Sequence, residues 1–119
     1  MQACDIMDPP AIIVVILQET LVARDIETIV RNARPGVRIL VARTLREAWD
    51  TLPQGRVEVA FVQVDAETIA ASTLARRVAA DGGLVVVLSE EKSRKLPLGW
   101  KALPFPFATA DVASLLAGP

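Results

Sequence analysis

Short apolar runs alternate with amphipathic segments along most of this chain. Three runs are rich in β-branched residues, which is typical of strands buried on both faces of a parallel sheet. They lie at 11–17 (AIIVVIL), 57–64 (VEVAFVQV) and 84–88 (LVVVL). Shorter strands are predicted at 38–42 and 102–107, and the prolines of the last one favour the edge of a sheet.

Helical periodicity appears between these strands. The segment 20–33 has Leu21, Ile26, Ile29 and Val30 at helical spacing and ends before a Pro-Gly pair. Signals at the ends of segments predict the other helices: a capping box from Thr44 to Glu47 opens one that ends before Pro53, Asp65 caps one over 66–80, and Thr109 caps one over 110–117.

Strand and helix alternate along the chain, and each connection is too long for a hairpin. This pattern predicts an α/β fold, a five-stranded parallel sheet with helices on both faces. From Glu90 to Gly99 the helical period is lost, so the fourth helix is expected to be shortened or missing. Residues 1–10 end in a Pro-Pro pair and are predicted to form a flexible arm before a single domain over 11–119.

The composition fits such a domain, since 52% hydrophobic residues and a mean hydropathy of +0.40 provide a sizeable core. No apolar run approaches the roughly 18 residues that cross a bilayer, and the first residues lack the basic region of a secretory signal. We therefore expect a cytoplasmic protein without a membrane partner. The formal net charge of -1 argues against nucleic acid as a partner.

The cysteine and histidine content of the chain excludes several kinds of disulfide, catalytic and metal site. The chain has one cysteine, Cys4, which excludes a disulfide framework and fits a reducing compartment. It has no histidine, which excludes Ser/His and Cys/His nucleophile pairs and the usual zinc sites.

Four segments resemble one known family. The segment 16–27 (ILQETLVARDIE) is similar to the first strand, loop and helix of bacterial response-regulator receiver domains. The segments 58–64 (EVAFVQV) and 84–89 (LVVVLS) resemble the third and fourth strands of that family, and 103–107 (LPFPF) resembles the fifth, which normally reads Leu-x-Lys-Pro-Phe. The resemblance covers roughly 11–116 and implies a flavodoxin-like sheet with strand order 2-1-3-4-5.

The resemblance also implies where the functional groups of that family fall. The paired acids that hold Mg²⁺ fall on Leu17 and Gln18, and the phosphoacceptor aspartate falls on Gln63. The hydroxyl residue that contacts the phosphoryl group is retained as Ser89. The lysine of the fifth strand falls on Phe105.

Side chains of these types do not support phosphoryl transfer. Mg²⁺ prefers hard oxygen ligands, usually including one or two carboxylates, whereas leucine offers no ligand and glutamine only a neutral carbonyl. Phosphoryl transfer depends on positioning and on neutralisation of charge, and the lysine, the metal acids and the acid nucleophile are all replaced. We therefore expect a chain that is not an enzyme and uses no metal and no cofactor.

One alternative keeps the phosphorylation chemistry. Asp65 has the same strand parity as Gln63 and would be the acceptor of an atypical phospho-switch, with Glu19 as the remaining metal acid. Capping of the following helix explains Asp65 without any chemistry.

A second alternative is a small-ligand sensor, in which Gln18, Gln63 and Ser89 supply polar contacts in the degenerate crevice. Leu17 and Phe105 are expected to fill that crevice, which weighs against a ligand there. The bond between Phe105 and Pro106 lies where receivers commonly carry a cis peptide, and the resemblance implies one here.

The region around the fifth strand is the candidate interface. In receivers, the fourth helix, fifth strand and fifth helix form the common dimer and output surface, and the aromatic switch residue of that surface falls on Ala102. Leu96, Leu98 and Trp100 are apolar residues nearby that would mark a protein interface if exposed, and core packing is the alternative for Trp100. The leading hypothesis is a stand-alone pseudo-receiver, incompetent for phosphorylation, that contacts a histidine kinase, a response regulator or an output protein, or forms a homodimer.

Overall fold

The structure is a computed structural model that describes residues 11–63, 66–89, 99–104 and 109–116. Its strands and helices alternate as the sequence pattern predicts. In chain order they are β1 (Ala11–Ile16), α1 (Thr20–Ala33), β2 (Arg38–Ala42), α2 (Leu45–Thr51), β3 (Arg56–Val62), α3 (Ala66–Ala70), α4 (Thr73–Ala80), β4 (Leu84–Ser89), β5 (Lys101–Pro104) and α5 (Thr109–Leu116).

The five strands form one parallel sheet in the order β2-β1-β3-β4-β5. This arrangement is flavodoxin-like, and it confirms the predicted fold class and strand order. β5 lies at an edge, as its prolines suggest, and β1 and β3 lie at the centre. The central strands are buried on both faces, which explains their nearly continuous apolar sequence.

Two apolar clusters cover the two faces of the sheet. Alternate side chains of each strand point to opposite faces, so neighbouring residues such as Val14 and Val15 enter different clusters. Helices α2, α3 and α4 cover one face through Ala48, Ile69, Leu74 and Val78. Helices α1 and α5 cover the other face through Ala23, Ile26, Val30, Val112 and Leu116.

The segment 66–80 forms two helices, where the sequence pattern predicts one. Ser72 has extended backbone angles (φ -83°, ψ 154°), and its hydroxyl accepts a hydrogen bond from the Ala75 N–H at 3.0 Å. The same hydroxyl donates to the Ile69 carbonyl at 2.6 Å. Ser72 therefore ends α3 and begins α4 as an N-cap.

The capping box at Thr44 is confirmed, whereas Thr109, predicted as a cap, is the first helical residue of α5. The Thr44 hydroxyl accepts from the Glu47 N–H at 3.0 Å, as a capping box requires. Gly82 takes a positive φ of +73° after α4 and closes that helix. Leu21 is 73% exposed rather than part of the buried face, because Ala23, Ile26 and Val30 define that face and Leu21 lies off it.

Several expectations about the fold lie outside the described residues, the helix cap at Asp65 among them. The others concern the arm at 1–10, the shortened or missing helix over 90–98, and the part of the fifth strand beyond 104.

Candidate functional site

The carboxyl ends of β1 and β3 lie side by side at the centre of the sheet. The Gln63 N–H donates to the Ile16 carbonyl at 3.0 Å, and the Leu17 N–H donates to the Ala42 carbonyl at 3.0 Å. These two bonds continue the parallel pairing beyond the strand ends and fix the backbone there. The structure therefore brings two of the predicted site positions, Leu17 and Gln63, to one edge of the sheet. We call Leu17, Gln18 and Gln63 the carboxyl-edge site.

Leu17 belongs to the core. Its side chain is 2% exposed and lies in the apolar cluster under α1 and α5, together with Leu88 and Leu103. An acid at this position would have to leave water and enter an apolar cluster, which is strongly unfavourable for an unpaired charge. Leu17 therefore packs in the core, and the filling of the crevice by Leu17 and Phe105 stays a prediction.

Gln18 and Gln63 are both exposed. Their carboxamides offer neutral donors and acceptors, which suit hydrogen bonding and supply no charge for a hard cation. Glu19 occupies the N-cap position of α1 without a hydrogen bond from its side chain to the helix. Across the residues that the structure describes, no group of three or more His, Cys, Asp or Glu side chains is placed to hold a metal ion.

The other predicted site residues are described in part or not at all. Ser89 pairs with Pro104 in the ladder between β4 and β5, and its side chain lies outside the described atoms. Phe105, with the peptide bond to Pro106, and Asp65 lie outside the described residues, as do Leu96 and Leu98 of the candidate interface.

The structure describes two of the candidate interface residues, and their exposure to solvent differs. Ala102 is exposed on β5 and pairs with Val87 of β4. Trp100 is half-buried and packs against the apolar cluster on the face of α2, α3 and α4. Ala102 therefore offers accessible surface at the sheet edge, whereas part of the indole of Trp100 belongs to the core.

The opposite edge of the sheet holds charged residues that the sequence pattern does not single out. Arg34 Nη2 donates to Glu58 Oε2 at 2.9 Å, and Arg56 Nη2 lies 3.5 Å from the same oxygen. The hydrogen bond from Arg34 holds the pKa of the Glu58 carboxyl below its ordinary value, helped by the positive charges of both arginines and opposed by partial burial.

Asp81 extends this group of charges. Its carboxylate accepts from the Val57 N–H at 2.9 Å and from Arg77 Nε at 2.8 Å, and Arg77 also donates to the Gly55 carbonyl. The bond from the Val57 N–H and the contacts with Arg77 lower the pKa of Asp81. We call the five side chains that meet here the amino-edge cluster: Arg34, Arg56, Glu58, Arg77 and Asp81.

Sequence reasoning missed this cluster because its partners lie far apart along the chain. Arg34 and Glu58 are 24 positions apart, and so are Val57 and Asp81. Only the i,i+4 pair of Arg77 and Asp81 could have been read from helical spacing.

None of the helices in the described ranges is long and apolar enough to cross a membrane. Comparisons of the chain with family models, with curated proteins and with solved structures gave no match in any of the three.

Proposed function

We propose that this chain is a receiver-like domain that does not undergo phosphorylation and acts in signalling through contact with another protein. The observation that carries the proposal is the carboxyl-edge site, where a buried leucine and two exposed glutamines follow the carboxyl ends of the central strands. In open parallel sheets, ligands bind outside the carboxyl ends of the strands, so this is the place where chemistry would be expected.

The side chains at this edge favour a contact function over a chemical one. Stabilising a transferring phosphoryl group requires positive charge, and a receiver supplies it with a metal held by acids and with a lysine. Leu17 contributes packing, and Gln18 and Gln63 contribute neutral hydrogen-bonding groups. The fold that the resemblance implies is retained, so we infer that the domain is kept as a recognition surface.

Phosphorylation is tested with a small phosphodonor. The purified protein is incubated with Mg²⁺ and acetyl phosphate, and its intact mass is measured. We expect no mass increase of about 80 Da, the mass of one phosphoryl group. An adduct that disappears in Asp65→Asn would instead support the atypical phospho-switch, and an adduct that persists in that variant would place the acceptor elsewhere. Either adduct contradicts the proposal.

Protein contact is tested at the edge of β5. We propose that the exposed Ala102 lies in the surface that meets a signalling protein or a second copy of the chain. Ala102→Arg is compared with Val41→Arg, since Val41 is a 40% exposed apolar residue on β2, at the other edge of the sheet. In sedimentation of the pure protein, and in binding to candidate kinases and regulators, Ala102→Arg should weaken association and Val41→Arg should not. Equal behaviour of both variants would contradict a contact at β5.

A further inference from the structure

A cavity of about 580 Å³ opens at the amino edge of the sheet, opposite the carboxyl-edge site. Its place follows from its lining, because Arg56, Leu84 and Lys101 are the first residues of three parallel strands. Its volume lies in the range of small-molecule sites in proteins, about 300–1,000 Å³.

The strand lengths explain why space remains at this edge. The ladder between β4 and β5 begins with the pair Val86 and Lys101, so Leu84 and Val85 extend beyond the start of β5. One of the two helices on this face, α5, has eight residues and ends at Leu116, which gives it a length of about 12 Å. The last turn of α5 and the start of β4, which pairs with β3 and extends past the start of β5, therefore form two walls with a gap between them.

The walls of the cavity are apolar and its rim is cationic. Val59, Leu84, Leu115 and Leu116 line the interior. Lys101 lies at the rim and is exposed, and among the residues that the structure describes it makes no ion pair.

The acid in the lining does not cancel this positive charge. Glu58 also lines the cavity, but its carboxylate is bound by Arg34 at 2.9 Å and lies 3.5 Å from Arg56. The low pKa of Glu58 that results from the bond with Arg34 keeps the carboxylate ionised and paired. Arg34 and Arg56 together more than balance it, so the rim as a whole is positive.

We propose that this cavity binds a small amphipathic carboxylate, an acyl chain or ring with one acidic group. The apolar part lies against Leu84, Leu115 and Leu116, and the carboxylate lies between Lys101 and Arg56. A multiply charged phosphate would leave the apolar walls without a partner, and a neutral hydrocarbon would leave the lysine unused. This ligand site lies apart from the carboxyl-edge site and does not depend on the proposed signalling function.

Octanoate is the probe, and 1-octanol is its neutral counterpart of similar length. In a titration followed by ¹H–¹⁵N NMR, octanoate should shift the amide signals of Gly82, Gly83, Leu84 and Ser114 along a saturable curve. Octanol should bind about tenfold more weakly, because it loses the charge-assisted contacts.

Three variants separate the cavity from a nonspecific surface effect. Lys101→Met should weaken octanoate binding about fivefold and leave octanol binding unchanged. Ser114→Trp places an indole over the cavity from an exposed position on α5 and should abolish binding of both probes. Arg76→Met removes an exposed cation from α4, away from the cavity, and should leave both affinities unchanged.

Three results would overturn the proposal. They are an absence of saturable shifts with octanoate, shifts that map outside the cavity, and equal affinities for octanoate and octanol. Unchanged octanoate binding by Lys101→Met would also overturn it, provided that the spectrum shows a folded protein. A failure here leaves the phosphorylation test unaffected, since the two sites lie at opposite edges of the sheet.

Discussion

The two edges of this sheet have opposite characters. At the amino edge, Glu58 and Asp81 are held by arginines and by a backbone N–H at distances of 2.8–3.5 Å. At the carboxyl edge, the described ends of β1 and β3 present a buried leucine and two exposed glutamines. Charged side chains are therefore concentrated at the amino edge, where folds of this kind do not usually bind ligands. Neutral side chains lie at the carboxyl edge, where such folds usually bind ligands.

This difference shows that the charged residues that stabilise the fold lie apart from the edge where ligands are expected to bind. The amino-edge cluster ties the loop after α1, the start of β3 and the end of α4 together, which supports the architecture without any catalytic demand. The carboxyl-edge site needs no charges for its stability, because Leu17 and the strand ends are held by packing and by backbone hydrogen bonds.

The largest expected effect comes from placing an acid at the carboxyl edge. Leu17→Asp should lower the free energy of unfolding by about 4 kcal/mol, since it puts an unpaired carboxylate into an apolar cluster. Leu17→Ala, which removes packing alone, should cost about 2–3 kcal/mol. Urea denaturation measures both.

Gln63→Asp is the matched control, because it introduces the same acid at the neighbouring strand end in an exposed position. Its effect on the free energy of unfolding should stay within about 0.5 kcal/mol. Similar losses in Leu17→Asp and Gln63→Asp would contradict the assignment of Leu17 to the core.

The next largest loss of stability is expected at the amino edge, where the backbone of Gly83 passes close to β3. A Cβ at Gly83 would collide with the Val57 carbonyl and lie 3.0 Å from both the Glu58 carbonyl and Val78 Cγ1. Gly83→Ala should therefore lower the free energy of unfolding by about 2 kcal/mol, because β3 or α4 must shift.

Gly36→Ala serves as its control, since a Cβ there would meet nothing within 4 Å. We expect a change within about 0.5 kcal/mol, also measured in urea. If Gly36→Ala lowered the free energy of unfolding as much as Gly83→Ala, the close approach of Gly83 to β3 would not be the cause of the loss.

The fold could be predicted from the sequence because its signals are local. Runs of β-branched residues mark the strands, and helical spacing marks the helices. The Thr44 hydroxyl caps its helix by accepting from the N–H of Glu47, only three positions away. The break at Ser72 could not be read from the sequence, because the apolar helical spacing over 66–80 continues through it without a glycine or proline. Its extended backbone and two hydrogen bonds appear only in three dimensions.

The sites were less predictable because they depend on contacts between distant residues. In the pairing of β1 with β3, Ile12 faces Val57 and Ile13 faces Val59, so Glu58 is an extra residue in a bulge. This bulge sends Val57 and Val59 to opposite faces, although strict alternation would put them on the same one. The sequence of β3 alone does not reveal the bulge, so the ion pairs of Glu58 could not be expected.

The smallest effect is a pH dependence that belongs to the amino edge. The pKa values of Glu58 and Asp81 are lower in the folded protein than their ordinary values, so the folded protein binds fewer protons than the unfolded chain. The stability that these carboxylates contribute is fully present above the ordinary carboxyl range, about pH 4–5, and is lost as the pH falls through the folded pKa values.

Asp81→Asn removes the charge that faces Arg77 and should cost about 1 kcal/mol at pH 7. It should also make the loss of stability between pH 7 and pH 3 shallower than in the original chain. Asp50→Asn is the control, because Asp50 lies 3.7 Å from Arg46 in a pair that is exposed on both sides. Urea denaturation across this pH range should show an unchanged curve for Asp50→Asn. Parallel curves for all three proteins would mean that acid weakens the fold elsewhere, and the amino edge would then owe its stability to packing, as the carboxyl edge does.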